Sequence, residues 1–182
     1  MAKLVSKTYG EALFELAMEE NKSQELMEEV QELSKVLKEN TDFDKLMKHP
    51  GIAKQEKVET MKNVFKGRIS EELLGFFEVV LMKERYNDIQ SIFDYFVEKM
   101  KEVNKIGVAH VTTALELTKE QQDSVEKRLL ETTSYEKMEM HFQVDNSIIG
   151  GMIIRIKDRV VDSSIRTKID DLTKQLLQIQ LG

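Results

Sequence analysis

The chain of 182 residues contains no cysteine, three histidines, one proline and eight glycines. Each shortage removes a class of answers. Without cysteine there is no disulfide, no thiolate nucleophile and no cysteine-bound zinc. His49, His110 and His141 lie far apart in sequence, so no histidine metal centre is expected. No apolar run approaches the ~20 residues of a membrane-spanning helix. The amino-terminal stretch MAKLVSKTYGEALFELA is broken by Lys3, Lys7, Glu11 and Glu15, unlike a secretory signal. The expected location is therefore cytoplasmic or facing the cytoplasm. The net charge of −6 argues against a protein whose whole surface grips nucleic acid, because phosphate binding needs clustered Lys and Arg. It leaves room for a local basic patch.

What is present is helix-forming. Hydrophobic residues make up 41% and charged residues 33%, the balance of a foldable protein with much exposed helix. The length suits one domain or two of roughly 100 residues. Val5, Tyr9, Ala12, Leu13 and Leu16 stripe a first helix, and Leu26, Val30, Leu33 and Leu37 a second. Phe43, Leu46 and Met47 mark a short third, closed by Pro50 and Gly51. Val58, Met61 and Phe65 mark a fourth, and Ser70 should cap a fifth, with Glu71 and Glu72 placed against the helix dipole. A sixth follows from Ile89, Ile92, Phe93, Phe96, Val97, Met100 and Val103. The fifth is apolar on nearly every side, through Leu73, Leu74, Phe76, Phe77, Val79, Val80 and Leu81. Such a helix is central to a bundle or shared with a partner.

Near Gly107 the apolar period changes from 3.6 to 2, which marks a domain boundary. Ala109, Val111, Thr113, Leu115 and Leu117 fall on one face of a strand. Thr118 and Gln121 form a capping-box pattern that opens a helix. KMEMHFQV then alternates, placing Met138, Met140, Phe142 and Val144 inward and Lys137, Glu139, His141 and Gln143 outward. After Asp145-Asn146 come two strands joined near Lys157, Asp158 and Arg159. Ser163 or Ser164 then caps a last helix carrying Ile165, Ile169, Leu172, Leu176 and Ile179 at four-three spacing, the seam of a packed amphipathic helix or a short coiled coil.

Catalytic constellations are missing. There is no G-x-S-x-G elbow and no Cys/His pair, and the carboxylates sit on helix faces where solvation explains them. Gly150-Gly151 raises the question of a phosphate cradle, but a cradle joins strand to helix, and here MIIRI continues as strand. The doublet better suits a bulge or bend within a sheet, where another backbone comes close. Arg155, Lys157, Arg159, Arg166 and Lys168 form the densest basic cluster, interleaved with Asp158, Asp162, Asp170 and Asp171. That mixture matches a protein partner better than a polyphosphate. The alternative reading is a helical nucleic-acid-binding regulator using the basic 155–168 cluster, and a third is a small nucleotide-dependent enzyme using the glycine doublet.

Two segments carry a family resemblance: KTYGEALFELA at 7–17, and DNSIIGGMIIRIKDRVVDSSIRTKIDDLTKQL at 145–176. With the length and the helical-then-mixed layout, the chain resembles the delta subunit of F-type ATP synthases, whose mitochondrial counterpart is the oligomycin sensitivity conferral protein. Family members commonly have Arg at the position of Lys7, Ala at Gly10, and Gly at Lys157 and Ser163. The resemblance implies a mainly α chain with a smaller α/β part. An amino-terminal six-helix bundle, residues 1–105, would bind the catalytic head. A small α+β domain, 106–182, would bind the peripheral stalk. It also implies a noncatalytic stator subunit, one copy per complex, without cofactor, metal or nucleic acid, peripheral on the cytoplasmic face of the bacterial cell membrane. The alpha and beta subunits of the head and the b-subunit stalk would be its partners, and the membrane would be reached only through the complex. Tyr9, Ala12, Leu13, Leu16, Phe76, Val79 and Val80 would form the groove for the amino-terminal helix of the alpha subunit. Gly150, Gly151, Arg155, Asp162, Ser164 and Arg166 would be the structural signature.

Overall fold

The computed structural model of the chain describes residues 2–180, and the side chains of residues 4–176. The fold is mainly helical, with one small four-stranded mixed sheet, and it divides into two compact units, Met1–Lys101 and Glu102–Gly182. Ile179, assigned above to the last helical seam, has its side chain outside the described residues.

The first unit is built from α1 (Ala2–Glu19), α2 (Ser23–Glu39), α3 (Thr41–Lys48), α4 (Lys54–Phe65), α5 (Glu71–Met82) and most of α6 (Ile89–Val103), with a 3-10 turn at Tyr86–Asp88. The apolar stripes converge on one core. Leu13, Leu26, Val30, Met61, Leu73, Phe77, Val80, Ile92, Phe93 and Phe96 are all fully buried. Ser70 caps α5 as its type predicts: its Oγ accepts from the Leu73 amide at 3.4 Å and donates to Glu29 at 2.5 Å. An aromatic row, Phe43, Phe65, Phe77 and Tyr86, runs through this core with ring centroids 5.5, 6.0 and 6.1 Å apart.

Gly10 in the middle of α1 looks like a flaw, since glycine costs a helix about 1 kcal/mol relative to alanine. Its reason is close packing on α6. A Cβ at Gly10 would lie 2.4 Å from Cδ1 of Tyr95 and 3.3 Å from the carbonyl oxygen of Ile92. The Tyr95 ring cannot easily withdraw, because its hydroxyl donates to Glu11 at 3.0 Å. Gly10→Ala is therefore expected to destabilise the chain by about 1–2 kcal/mol in urea unfolding, overpacking outweighing the gain in helix propensity.

The second unit comprises β1 (Ile106–Thr113), α7 (Lys119–Thr132), β2 (Lys137–Val144), a 3-10 turn at Asn146–Ile148, β3 (Met152–Ile156), β4 (Arg159–Asp162) and α8 (Ile165–Gln180). Strand order is β2-β1-β3-β4. β1 and β2 are parallel through the α7 crossover, and the other pairs are antiparallel. The Thr118–Gln121 capping box opens α7 with both reciprocal hydrogen bonds. Ala109, Val111 and Thr113 are buried on one face of β1, but the strand stops at Thr113. There the Thr113 hydroxyl donates to the Leu115 carbonyl at 2.7 Å and turns the chain. Leu115, expected to continue the strand, is 76% exposed, and Leu117 lies beyond it. On β2 the alternation fades: Met138 is buried, Met140 and Phe142 half-buried, and Val144 exposed, because β2 is an edge strand.

Candidate partner-binding surfaces

The glycine doublet lies in the turn between Asn146–Ile148 and β3, ahead of the sheet and not within it as its sequence context suggests. The Gly150 amide donates to the Ile148 carbonyl at 2.8 Å, making Ile149 the centre of a tight three-residue turn with φ +67. A β-branched residue in that region is strained, and here it pushes an isoleucine side chain out to 62% exposure. Both glycines answer to the start of α8. The Gly150 carbonyl accepts from the Ile165 amide at 2.9 Å, and a Cβ on Gly150 would lie 2.7 Å from Cδ1 of Ile165. Gly151 has φ +77, and a Cβ there would lie 2.5 Å from the Ser163 carbonyl oxygen. The close approach of another backbone, expected for the doublet, is thus to the entry of α8. The phosphate-cradle reading loses the Gly150 amide, which is already engaged by Ile148.

Asp162 and Ser164 complete a brace at the same point. One Asp162 oxygen accepts from the Ser164 amide at 2.8 Å, and the other from the Thr167 hydroxyl at 2.7 Å. Ser164 is 1% exposed. Its Oγ accepts from the Thr167 amide at 3.2 Å and donates to the Thr167 hydroxyl at 3.1 Å, so the donors run in one direction towards the carboxylate. The Ser164 amide first, and then the Thr167 hydroxyl, hold the Asp162 carboxyl below its usual range. A depressed folded-state value means that the brace adds stability above the ordinary aspartate pKa and loses it as pH falls through the folded value. The amide signals of Ser164 and Thr167 are accordingly expected to move together below about pH 4, and Asp162→Asn should abolish that step in an NMR titration. Arg166 acts nearby through charge, helping to keep Asp145 ionised after the hydrogen bonds from Ser147.

Arg155 belongs elsewhere. It is exposed on β3 opposite His110, on the sheet face away from Ile154 and Ile156. Arg159 pairs with Ile156 and points to the other face, while Lys157 is held by Glu102 at 2.6 Å. The basic cluster that looks continuous in sequence is thus divided between two faces, which removes the single field a nucleic acid would need. In its place the parallel register stacks His110 on His141, ring centroids 4.9 Å apart, beside Arg155. His141 is exposed, in line with its place on the alternating strand, but its neighbour was invisible without the register.

The two helical edges assigned to a partner are partly open. On α1, Tyr9 and Leu16 are half-buried and Ala12 is exposed, while Leu13 is fully buried beneath them. On α5, Val79 is 49% and Met82 41% exposed and Phe76 is half-buried, whereas Val80 is fully buried. Leu13 and Val80 are thus core residues that support those edges and do not line them. Gly75, one turn before Val79, leaves open space beside the same edge. In the second unit the seam, which the sequence leaves open between a packed helix and a short coiled coil, is largely uncovered: Ile165, Ile169, Leu172 and Leu176 are 43%, 48%, 59% and 65% exposed. Exposed apolar rows of this kind mark interaction surfaces.

Helical and α/β units that each offer apolar edges make a connector, a protein that grips other chains. Comparison with known proteins says which kind. The family model described as ATP synthase delta (OSCP) subunit matches residues 5–176. The chain is 50% identical over 182 residues to the ATP synthase subunit delta of Lachnoclostridium phytofermentans, covering 100% of both chains. It is 31% identical over 181 residues to that of Alkaliphilus metalliredigens, covering 98% of this chain and 99% of the other. The fold is shared with a chain of the Toxoplasma gondii mitochondrial ATP synthase hexamer at a TM-score of 0.74 and 18% identity, over 94% of this chain and 97% of that one. The chain belongs to the ATP synthase delta (OSCP) subunit family, and is a noncatalytic peripheral-stalk component of an F-type ATP synthase.

Proposed function

We propose that the two units divide the work of a stator between them. The amino-terminal six-helix bundle, residues 1–105, grips the catalytic head, taking the amino-terminal helix of an alpha subunit along the edges of α1 and α5. The carboxy-terminal domain, 106–182, holds the b-subunit stalk along α8. One copy per complex suffices, lying peripherally on the cytoplasmic face of the cell membrane. No described helix is long and apolar enough to cross a membrane, so on this reading the stalk supplies the anchor.

The observation that carries the proposal is the outward turn of Val79, beside Met82, on a helix whose Leu73, Phe77, Val80 and Leu81 are buried in the core. A stator must resist torque, so it needs slow dissociation, and apolar helix-in-groove contacts provide that. Polar contacts alone would be weakened by salt. Val79→Asp is expected to weaken head binding about tenfold to a hundredfold, the range for losing a central apolar anchor, while the unfolding midpoint stays unchanged. Calorimetry with residues 1–105 against the head and 106–182 against the stalk tests the division itself. Failure of both fragments to bind would sink it.

A further inference from the structure

Ile149 occupies a position that strains its own unit and contributes little to the core of that unit. The turn around it is firmly built. Asp145 accepts from the Ser147 amide at 2.9 Å, Ile148 is buried in the core, and the Gly150 amide closes on the Ile148 carbonyl. Ile149 at the centre has φ +67 and ψ −40, the rare and strained form of the three-residue turn. Glycine enters that region freely and a β-branched residue does not. Two glycines follow at once, yet only the second, Gly151, has a positive φ. A position where glycine would relieve the backbone thus carries a branched apolar side chain, and that side chain is 62% exposed. A strained backbone that presents an apolar group to water answers to something outside its own unit.

The surroundings of Ile149 point to what that is. Thr113, at the end of β1, pairs with Val144 on one side and Met152 on the other. Val144 is exposed, and so is Leu115, whose carbonyl the Thr113 hydroxyl holds. Three open apolar side chains, Leu115, Val144 and Ile149, therefore gather at one end of the sheet. The last helix starts at the same end: the Ile165 amide donates to the Gly150 carbonyl, and the Ile165 side chain lies against Gly150. The open seam of Ile165, Ile169, Leu172 and Leu176 thus continues past the first residue of α8 onto the sheet. Four-three spacing suits a partner helix, and from Ile165 to Leu176 it spans only about 16 Å, three helical turns. A longer helix lying on the seam overruns the start of α8 and meets Ile149.

We propose that Ile149, with Leu115 and Val144 beside it, is an anchor for the stalk helix that extends the α8 seam onto the end of the sheet. This role rests on the assignment of α8 to the stalk, and adds a contact that α8 itself does not supply. The closed turn holds the isoleucine in place before the partner arrives, so little freedom is lost on binding.

The test is Ile149→Gly in the full chain, followed by thermal unfolding and by calorimetry with the stalk's soluble portion, beside Leu172→Glu with Leu176→Glu. Glycine relieves the backbone and removes the anchor, so the two readouts should part. The unfolding midpoint is expected to stay the same or rise, while stalk affinity falls at least about tenfold through the loss of one buried isoleucine. In the unaltered chain, the amides of Leu115, Val144 and Ile149 should shift together with those of Ile165 and Ile169 as the stalk is added. The proposal is overturned if Ile149→Gly binds the stalk as tightly as the unaltered chain. Loss of binding by the α8 pair in that same experiment would leave the assignment of α8 standing, whereas no binding by the unaltered chain overturns both. A lower midpoint in Ile149→Gly also overturns the proposal, because the side chain would then serve the packing of its own unit. So does self-association of the unaltered chain that Ile149→Gly abolishes with stalk affinity intact, since the patch would then belong to a second copy.

Discussion

Gly151→Ala should cost the carboxy-terminal unit about 2–5 kcal/mol, enough to leave much of α8 detached from its brace. Two separate terms add. The residue has φ +77, where an L side chain costs about 1–2 kcal/mol. The new Cβ would also stand 2.5 Å from the Ser163 carbonyl oxygen and 3.2 Å from Cα of Ser164. Those are backbone atoms, so relief requires moving the entry of α8, and overpacking of this kind costs about 1–3 kcal/mol. A matched control exists in the same chain. Gly67 has φ +75 with nothing within 4 Å of an added Cβ, so Gly67→Ala should cost only the conformational term. The comparison is made by urea unfolding, with amide NMR reporting on Ser164 and Thr167. Equal costs for the two substitutions would show that the contact with Ser163 does not hold α8 in place. If the brace does hold it, stalk binding should fall in Gly151→Ala and persist in Gly67→Ala.

That contrast shows what a linear sequence carries and what it withholds. Local rules were legible: Ser70 and the Thr118–Gln121 box cap their helices as their chemistry dictates, because a cap is made within four residues. The core stripe of α2 was legible for the same reason, and that of α6 as far as Met100, beyond which Val103 is 48% exposed, since one apolar face per turn leaves little choice. The fifth helix was not, because a segment apolar all round does not say which side faces in. Only packing separates Val80, fully buried, from Val79, 49% exposed. Gly10 reads as a weak point until α6 brings Tyr95 against it. The stacking of His110 on His141 depends on the register of two strands separated by a helix, and no local pattern encodes it. Lys157 keeps φ +51 where its relatives were expected to have glycine, and its contact with Glu102 is visible only in three dimensions. The glycine doublet lay between these cases: its need for close approach was readable, and the element approached, α8, was not.

The second large effect concerns that helix. Leu172 and Leu176 are more than half exposed on α8, so replacing both with glutamate removes little packing from the free chain. Leucine and glutamate have similar helix propensities, and surface substitutions usually stay within about 0.5 kcal/mol. Stability should therefore hardly change. Binding should change greatly if the seam takes a stalk helix. Burying one leucine contributes about 1.5–3 kcal/mol, and each introduced carboxylate would have to be desolvated or left unpaired. Leu172→Glu with Leu176→Glu is thus expected to weaken stalk affinity by at least about a hundredfold, measured by calorimetry with the stalk's soluble portion. Head binding, assigned to α1 and α5, should be untouched. The outcome separates two uses of an apolar seam. If the doubly substituted chain instead melts at a lower temperature with stalk affinity intact, the seam serves the fold of its own unit, and the stalk must be held by another surface. Unchanged stability with lost affinity would make α8 the element that ties this subunit to the stalk, and would explain why so much of the chain's glycine and hydrogen bonding is spent on fixing where that helix begins.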